Sequence, residues 1–258
     1  NSSVKILNSQ QIGDGSKNVI ILHGFLGMGD NWRGFAKKFD SRIFCFHLID
    51  QRNHGKSFWD ESMSYDDMAR DLLLFCNSQN IHKSILIGHS MGGKTAMKFS
   101  LLFPERVEKL IIVDIAPKKY LPDFKNIIDG YNHLDLDSFN SRFEIDNVYK
   151  IFVEDNFLRS FLMKNIYRNK EGKFRFRINL KVLEKKIKEI GSFDHKNSFF
   201  NKQTEFIKGS KSDYILEEDK NLIKKYFPKY SLHKVNNAGH WVHYDKPEIF
   251  EKIVKSII

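Results

Sequence analysis

Ten residues in the first half of the chain, 84–93, decide the fold; they read SILIGHSMGG. The apolar residues at their start predict a buried strand, and residues 92–103 have the period of a helix. Between the two, GHSMG fits the pattern G-x-S-x-G, in which a sharp turn from strand to helix lifts a serine above the ends of a parallel sheet. Glycine is required at both ends of the turn, since a side chain there would collide with neighbouring backbone. The stretch predicts a strained, exposed Ser90 that serves as a nucleophile.

Short apolar runs alternate with longer segments of helical period on both sides of this stretch. This pattern is typical of an α/β protein with a mostly parallel sheet and helices on both faces. The predicted strands are 19–23, 42–49, 83–88, 109–113, 204–208 and 230–235, and the predicted helices are 30–39, 64–80, 92–103 and 247–258. After Pro117 the alternation stops, and a Phe-, Asn- and Lys-rich stretch with helical periodicity follows. We predict a core of residues 1–117 and 201–258, interrupted by an inserted, mainly helical lid of residues 118–200.

Size and composition favour one large globular domain with an insertion, since the chain has 258 residues and a hydrophobic content of 41%. Cys45 lies in a strand-like run and Cys76 in a helix-like run, which indicates neither a disulfide framework nor a metal site. The sequence contains no basic segment leading into an apolar stretch and no run of about 18 apolar residues. We expect a cytoplasmic protein without stable membrane insertion.

The formal net charge of +10 is distributed along the chain. Its lysines occur in scattered pairs, without the dense basic block or interleaved aromatic platform of RNA-binding proteins, so no nucleic-acid partner is expected. The charge favours the steering of a negatively charged acyl substrate. No cofactor and no metal are expected, and the sequence makes no prediction of oligomeric state.

A serine hydroxyl needs an adjacent base that takes its proton and later returns it to the leaving group. His240 follows the last predicted strand and the turn-rich residues NNAG, and it precedes the final helix. This position satisfies the chain order of serine, acid, histidine. His233 and His243 are close in sequence but lack the preceding glycine, and we expect surface or packing roles for them.

Six motifs together resemble a known family. They are HGFLG (23–27), DQRNHGKS (50–57), Ser64-Tyr65 with Met68-Ala69 and Asp71, GHSMGG (88–93), DIAP (114–117) and GHW (239–241). On these residues the chain resembles the α/β-hydrolase superfamily, and within it the YbfF-type bacterial acyl esterases, which are related to the animal α/β-hydrolase domain-containing protein 11. The resemblance covers nearly the whole predicted core and implies a serine esterase.

Two carboxylates fit the position of the acid that orients the histidine. In most of the superfamily the acid follows the strand after the lid, but here that loop reads GSKSD, with Ser212 at the expected position and Asp213 next to it. Asp114 ends the strand expected beside the nucleophile strand, and a carboxylate there can reach the histidine from the other side. The resemblance implies Asp114 as the acid, supported by Ser212, with Asp213 as the alternative.

Acyl transfer builds negative charge on the former carbonyl oxygen, which requires two fixed N–H donors. We predict the backbone amides of Met91 and Phe25 as this oxyanion hole. His23, Leu26 and Trp241 are predicted to contact substrate. The polar loop 50–57 is interpreted as a hydrogen-bonded support of the site and not as a metal or phosphate site.

The motifs together predict a serine hydrolase that cleaves carboxylic esters or acyl thioesters, such as acyl-CoA, through an acyl-enzyme on Ser90. A C–C bond hydrolase or a cofactor-free perhydrolase would use the same triad and stays an alternative. A non-catalytic, hydrolase-like ligand-binding protein is the second alternative. The dehalogenase and epoxide hydrolase branches are opposed by the serine, because they use a carboxylate nucleophile.

Overall fold

The computed structural model describes residues 4–121 and 123–258. Strands numbered in chain order are β1 (Ser9–Ile12), β2 (Lys17–Leu22), β3 (Phe44–Ile49), β4 (Ser84–His89), β5 (Val107–Val113), β6 (Ile166–Arg168), β7 (Phe174–Phe176), β8 (Thr204–Gly209) and β9 (Tyr230–Val235). Helices numbered in chain order are α1 (Arg33–Ala36), α2 (Tyr65–Ser78), α3 (Met91–Leu102), α4 (Lys125–His133), α5 (Arg142–Tyr149), α6 (Asn156–Met163), α7 (Leu180–Lys185), α8 (Ile187–Gly191), α9 (Lys220–Tyr226), α10 (Val242–Asp245) and α11 (Pro247–Ile257). Within these residues, no helix is both long and apolar enough to cross a membrane.

Seven strands form one sheet in the order β1-β3-β2-β4-β5-β8-β9. β1 is antiparallel to β3, and every other neighbouring pair in this sheet is parallel. The predicted α/β class with a mostly parallel sheet is therefore confirmed. The carboxyl ends of β4, β5 and β9 consequently lie at one edge, which is where ligands bind in open parallel sheets.

Helices cover both faces of this sheet, because successive strand residues point to opposite sides. In β4, Leu86 packs into a buried cluster with α2 and α3, whereas Ile85 and Ile87 pack into a second cluster with α11. All three isoleucine and leucine side chains are fully buried. Burial on both faces explains why β4 reads as a continuous apolar run.

Two details of the core differ from the sequence prediction. Residues 30–39 do not form one helix, but a 3-10 turn (Gly29–Trp32) that leads into the single turn of α1. The edge strand β1 was not predicted, and only Gln11 of its four residues is exposed. Its sequence, SQQI, has one branched residue, Ile12, and no aromatic residue, so its strand conformation depends on pairing with β3.

Residues 118–200, which we call the lid segment, lie between β5 and β8 and contain five helices and the β6–β7 hairpin in their described part. Their buried side chains form a third cluster, which also includes Phe25, Tyr65 and Met91 from the core. The lid segment therefore packs directly on the residues around the serine turn. The exact limits of core and lid stay a prediction.

Candidate active site

Ser90 occupies the turn between β4 and α3, with backbone angles of φ 56° and ψ −118°. A positive φ is strained for a residue with a side chain, and tight packing of the turn maintains it. A Cβ atom on Gly88 would lie 2.3 Å from the Gly92 carbonyl oxygen, and one on Gly92 would lie 2.1 Å from the Leu22 carbonyl oxygen. Both glycines are therefore required, as the sequence pattern predicts.

His240 links the serine to a carboxylate. Its Nε2 lies 3.0 Å from Ser90 Oγ, and its Nδ1 lies 2.7 Å from Asp114 Oδ2. Because an ionised carboxylate only accepts hydrogen bonds, Nδ1 carries the proton. Nε2 is then free to accept the hydrogen bond of the Ser90 hydroxyl. The three side chains come from the ends of β4 and β5 and from the loop after β9.

Asp114 follows β5 directly, in a left-handed backbone conformation with φ 53°, and its side chain is completely buried. Besides His240, its carboxylate accepts hydrogen bonds from the Gly209 N–H at 3.1 Å and from Ser212 Oγ at 2.5 Å. Three donors compensate the loss of water around the buried charge. Asp213, the alternative acid, is exposed on the wall of the cavity that contains Ser90.

The loop after β2 approaches the serine closely, because a Cβ atom on Gly24 would lie 3.4 Å from Ser90 Cβ. Within this loop, the Leu26 N–H donates to His54 Nε2 at 3.0 Å, and the Gly27 N–H donates to the Gly24 carbonyl at 3.0 Å. Among the residues that the structure describes, no acceptor is found for the Phe25 N–H. Met91 is the first residue of α3, so its N–H has no partner inside the helix.

Residues 50–57 hold this loop in place. Asp50 Oδ1 accepts a hydrogen bond from the Gly29 N–H at 2.7 Å, and His23 Nε2 accepts one from the Gln51 N–H at 2.9 Å. Burial lowers the pKa of His54 to about 3, so its ring is neutral and can accept the Leu26 N–H. The described part of the chain has no cluster of three or more potential metal ligands.

Two residues of the site were not identified from the sequence. The buried ring of His89 donates from Nε2 to the His240 carbonyl at 2.9 Å, and thereby joins the serine turn to the histidine loop. Burial, followed by the neighbouring His243 and His240 rings, lowers the pKa of His89 well below its usual value. Tyr214 stacks on the His240 ring, with 3.7 Å between the centroids. His89 occupies a variable position of G-x-S-x-G, so the motif does not predict its hydrogen bond to His240.

A cavity of about 490 Å³, the serine cavity, opens above this triad. Its described lining combines apolar and aromatic side chains with a few charged ones; it consists of Phe25, Tyr65, Ser90, Met91, Lys94, Ile115, Tyr120, Leu121, Asp123, Phe124, Ile190, Gly191, Lys211, Ser212, Asp213, Tyr214 and His240. Lys94 is buried and donates to the Gly191 and Ser192 carbonyls at 2.9 Å each, which ties the end of the lid segment to α3.

The three residues predicted to contact substrate do not line the serine cavity. Both ring nitrogens of His23 are hydrogen-bonded to backbone groups of the protein. Leu26 is buried in the cluster beneath the lid segment, and Trp241 lines a second cavity. For the serine cavity these placements correct the prediction, whereas His23 and Trp241 both line the second cavity. His233 pairs with Glu205, and His243 stacks on Trp32, as expected of packing residues.

Comparison with known proteins identifies the family of the chain. A family model described as the alpha/beta hydrolase fold matches residues 17–247. The chain belongs to the α/β-hydrolase family. This α/β hydrolase is 39% identical to a solved marine microorganism esterase, with a TM-score of 0.95 over 99% of this chain and 100% of that chain.

Two curated relatives also match nearly the whole chain. This α/β hydrolase is 30% identical to esterase YbfF of Escherichia coli strain K12, over 92% of this chain and 91% of the relative. It is 32% identical to the sn-1-specific diacylglycerol lipase ABHD11 of Mus musculus, over 93% of this chain and 80% of the relative. The predicted resemblance is therefore confirmed, and this α/β hydrolase is an enzyme of the esterase and lipase type.

Proposed function

We propose that the chain hydrolyses carboxylic esters, and acyl thioesters such as acyl-CoA, through an acyl-enzyme on Ser90. One observation carries this proposal: Ser90 Oγ, the His240 ring and the Asp114 carboxylate form a continuous chain, with contacts of 3.0 Å and 2.7 Å. Both contacts are within the reach required for proton transfer between a nucleophile, its base and an orienting acid.

In the proposed acylation step, Ser90 Oγ attacks the carbonyl carbon while His240 Nε2 takes the hydroxyl proton. The carbonyl oxygen becomes an oxyanion, which the N–H groups of Phe25 and Met91 would stabilise. The tetrahedral intermediate then expels the alcohol or thiol, which receives the proton from His240. Asp114 keeps the proton on Nδ1 and stabilises the imidazolium that forms.

In deacylation, a water molecule replaces the leaving group. His240 Nε2 takes a proton from this water, the resulting hydroxide attacks the acyl carbon, and the same proton returns to Ser90 Oγ. The carboxylic acid leaves and the enzyme is regenerated. The described triad requires no further reactant for this cycle.

The serine cavity fits an apolar acyl group, because Phe25, Met91 and Ile190 are among its lining residues. Its volume of about 490 Å³ lies within the range of small-molecule sites. The described lining carries both signs of charge, with Lys94 and Lys211 balanced by Asp123 and Asp213. We therefore propose uncharged acyl groups of short to medium length as the preferred ones, in esters and in thioesters.

The proposal is tested with nitrophenyl esters of graded acyl length, acyl-CoA thioesters and a diacylglycerol, using wild type and Ser90→Ala. We expect kcat to fall about 10⁶-fold in Ser90→Ala, because no other group can form the acyl-enzyme. Ser100→Ala is the matched control, since Ser100 lies in α3 and its hydroxyl donates to the Ala96 carbonyl. A fluorophosphonate should label wild type and Ser100→Ala at Ser90. Full activity in Ser90→Ala, or no labelling of wild type, would contradict the mechanism.

A further inference from the structure

A second cavity, of about 460 Å³, lies between α6 of the lid segment and the core. Ser90 and His240 do not line it, so it is separate from the serine cavity. Six aromatic residues dominate its wall, and we call it the aromatic cavity; they are Trp32, Phe35, Phe157, Phe161, Trp241 and Tyr244. A wall of this kind accommodates a flat ring system or an alkyl chain.

Aromatic pairs across the boundary between lid and core give the aromatic cavity a defined shape. Phe157 of α6 stacks on Tyr244, with 3.7 Å between the ring centroids. One turn further along α6, Phe161 meets Trp241 edge-on at 4.6 Å. Offset-stacked and edge-on pairs are the favoured arrangements of aromatic rings, so these side chains form a stable wall.

The charged side chains of the aromatic cavity are positive. Lys38 and Lys164 line it, and none of its described lining residues is Asp or Glu. Lys164 has no carboxylate within 4.0 Å in the described part of the chain, whereas Lys38 lies 3.7 Å from Glu251. Burial lowers the pKa of the lining His243 to about 3, so this ring is neutral at pH 7. The positive charge therefore belongs to the two lysines and favours an anionic group at Lys164.

The position of the aromatic cavity connects it to the catalytic loops. Its lining includes Gly24, His89 and Trp241, which directly precede Phe25, precede Ser90 and follow His240 in the chain. The His89 ring lies 4.8 Å from the His240 ring and 5.3 Å from the Trp241 ring. A molecule in the aromatic cavity would touch the segments that carry Phe25, Ser90 and His240.

From these observations we propose that the aromatic cavity binds a small molecule with a flat apolar body and one anionic group. Such a molecule has two possible sources: the alcohol or thiol part of the substrate, or a separate effector. The first source rests on the proposed function, whereas binding itself does not depend on it. In both cases Phe161 and Trp241 would contact the apolar body and Lys164 the anion.

Binding is tested with naphthalene-2-sulfonate and the neutral 2-naphthol, by calorimetric titration at low ionic strength. We expect wild type to bind the sulfonate about fivefold more tightly, which is the upper value for one exposed ion pair. Lys164→Gln should remove this preference without weakening 2-naphthol binding. The matched control is Lys170→Gln, because Lys170 is an exposed residue outside the cavity. Equal affinities in wild type, or an unchanged preference in Lys164→Gln, would overturn the proposal.

The two sites and the two sources are separated by further measurements. Wild type labelled at Ser90 with a fluorophosphonate should still bind the sulfonate, whereas loss of binding would place it in the serine cavity and refute the assignment. If the sulfonate raises the KM of ester hydrolysis without changing kcat, it competes with the substrate, which indicates the leaving-group source. If it changes kcat, an effector is indicated. If the sulfonate binds but changes neither, the link to catalysis is wrong. Failure to hydrolyse any ester would reject the proposed function alone, since binding is measured without turnover.

Discussion

Replacing Asp114 by asparagine should abolish most of the activity while leaving the fold intact. The side chain is completely buried, and its two oxygens accept three hydrogen bonds, from His240, Ser212 and Gly209. Asparagine has the same shape but replaces one acceptor oxygen by an NH₂ donor. The substitution therefore changes hydrogen-bond direction without creating a cavity.

Neither orientation of the new amide preserves the active geometry. If the NH₂ group takes the position of Oδ2, His240 Nδ1 must accept, and Nε2 then carries the proton and points a donor at Ser90. If the amide flips, its NH₂ group faces the Gly209 N–H, and two donors oppose each other inside the protein, which costs about 1–3 kcal/mol. In a serine hydrolase with the wrong histidine tautomer, kcat falls about 10⁴-fold, or about 5 kcal/mol. We expect a loss of this size for Asp114→Asn.

The assay is the hydrolysis of a nitrophenyl ester by wild type, Asp114→Asn and Asp213→Asn at equal concentrations. Asp213 is the matched control, because it is a carboxylate on the rim of the same cavity and is exposed. Its asparagine variant should retain kcat within about twofold, since surface substitutions have small effects. Thermal unfolding of each variant verifies that the comparison is made between folded proteins. Less than a tenfold loss in Asp114→Asn, or a larger loss in Asp213→Asn, would refute the reasoning.

Three further predictions concern the support of the triad. His89→Leu should lower kcat/KM of ester hydrolysis about tenfold, because the His240 carbonyl loses its hydrogen-bond donor. His89→Gln should retain most of the activity, and equal losses in both variants would exclude this hydrogen bond as the cause. Gly92→Ala should lower the free energy of urea unfolding by about 3 kcal/mol or more, because its Cβ would lie 2.1 Å from the last carbonyl oxygen of β2. The control Gly34→Ala should be neutral or stabilising, because a Cβ there has no atom within 4 Å. Burial lowers the pKa of His54 from 6.5 to about 3, so below pH 6.5 the unfolded chain binds more protons and stability falls by up to about 1.4 kcal/mol per pH unit until about pH 3. Urea titrations at pH 7 and 5 should show a shallower fall in His54→Gln, and identical falls would contradict this assignment.

The parts of the fold that could be predicted are those whose conformation is determined by their own residues. β9 spans 230–235, as predicted, and α3 begins and ends one residue before its predicted limits. Both elements combine a clear hydrophobic period with a glycine or polar boundary. In contrast, β1 was missed because its strand conformation comes from pairing with β3, and pairing between distant segments leaves no local pattern.

In the site, too, the features fixed by local constraints could be predicted, whereas those that depend on contacts between distant segments could not. The turn at Ser90 could be predicted because Gly88 and Gly92 are forced by backbone atoms less than 2.5 Å from a hypothetical Cβ. The choice between Asp114 and Asp213 could not be made from spacing, since both follow strands at the same edge of the sheet and both satisfy the chain order. It depends on side-chain direction: the Asp114 carboxylate reaches His240, whereas Asp213 lies exposed on the rim.

The placement of Trp241 shows why substrate contacts were harder to predict than chemistry. Its neighbour His240 is held from three sides, by Asp114, by the stacked Tyr214 ring and by the His89 hydrogen bond to its carbonyl. Trp241 instead packs against Phe161, a lid residue whose position follows from the packing of the whole lid segment. Catalytic groups need one fixed geometry and therefore leave local sequence signals, whereas the walls of the cavities come from contacts between distant segments. Substrate selection in this chain should consequently respond to substitutions in α6 that leave the reaction at Ser90 unchanged.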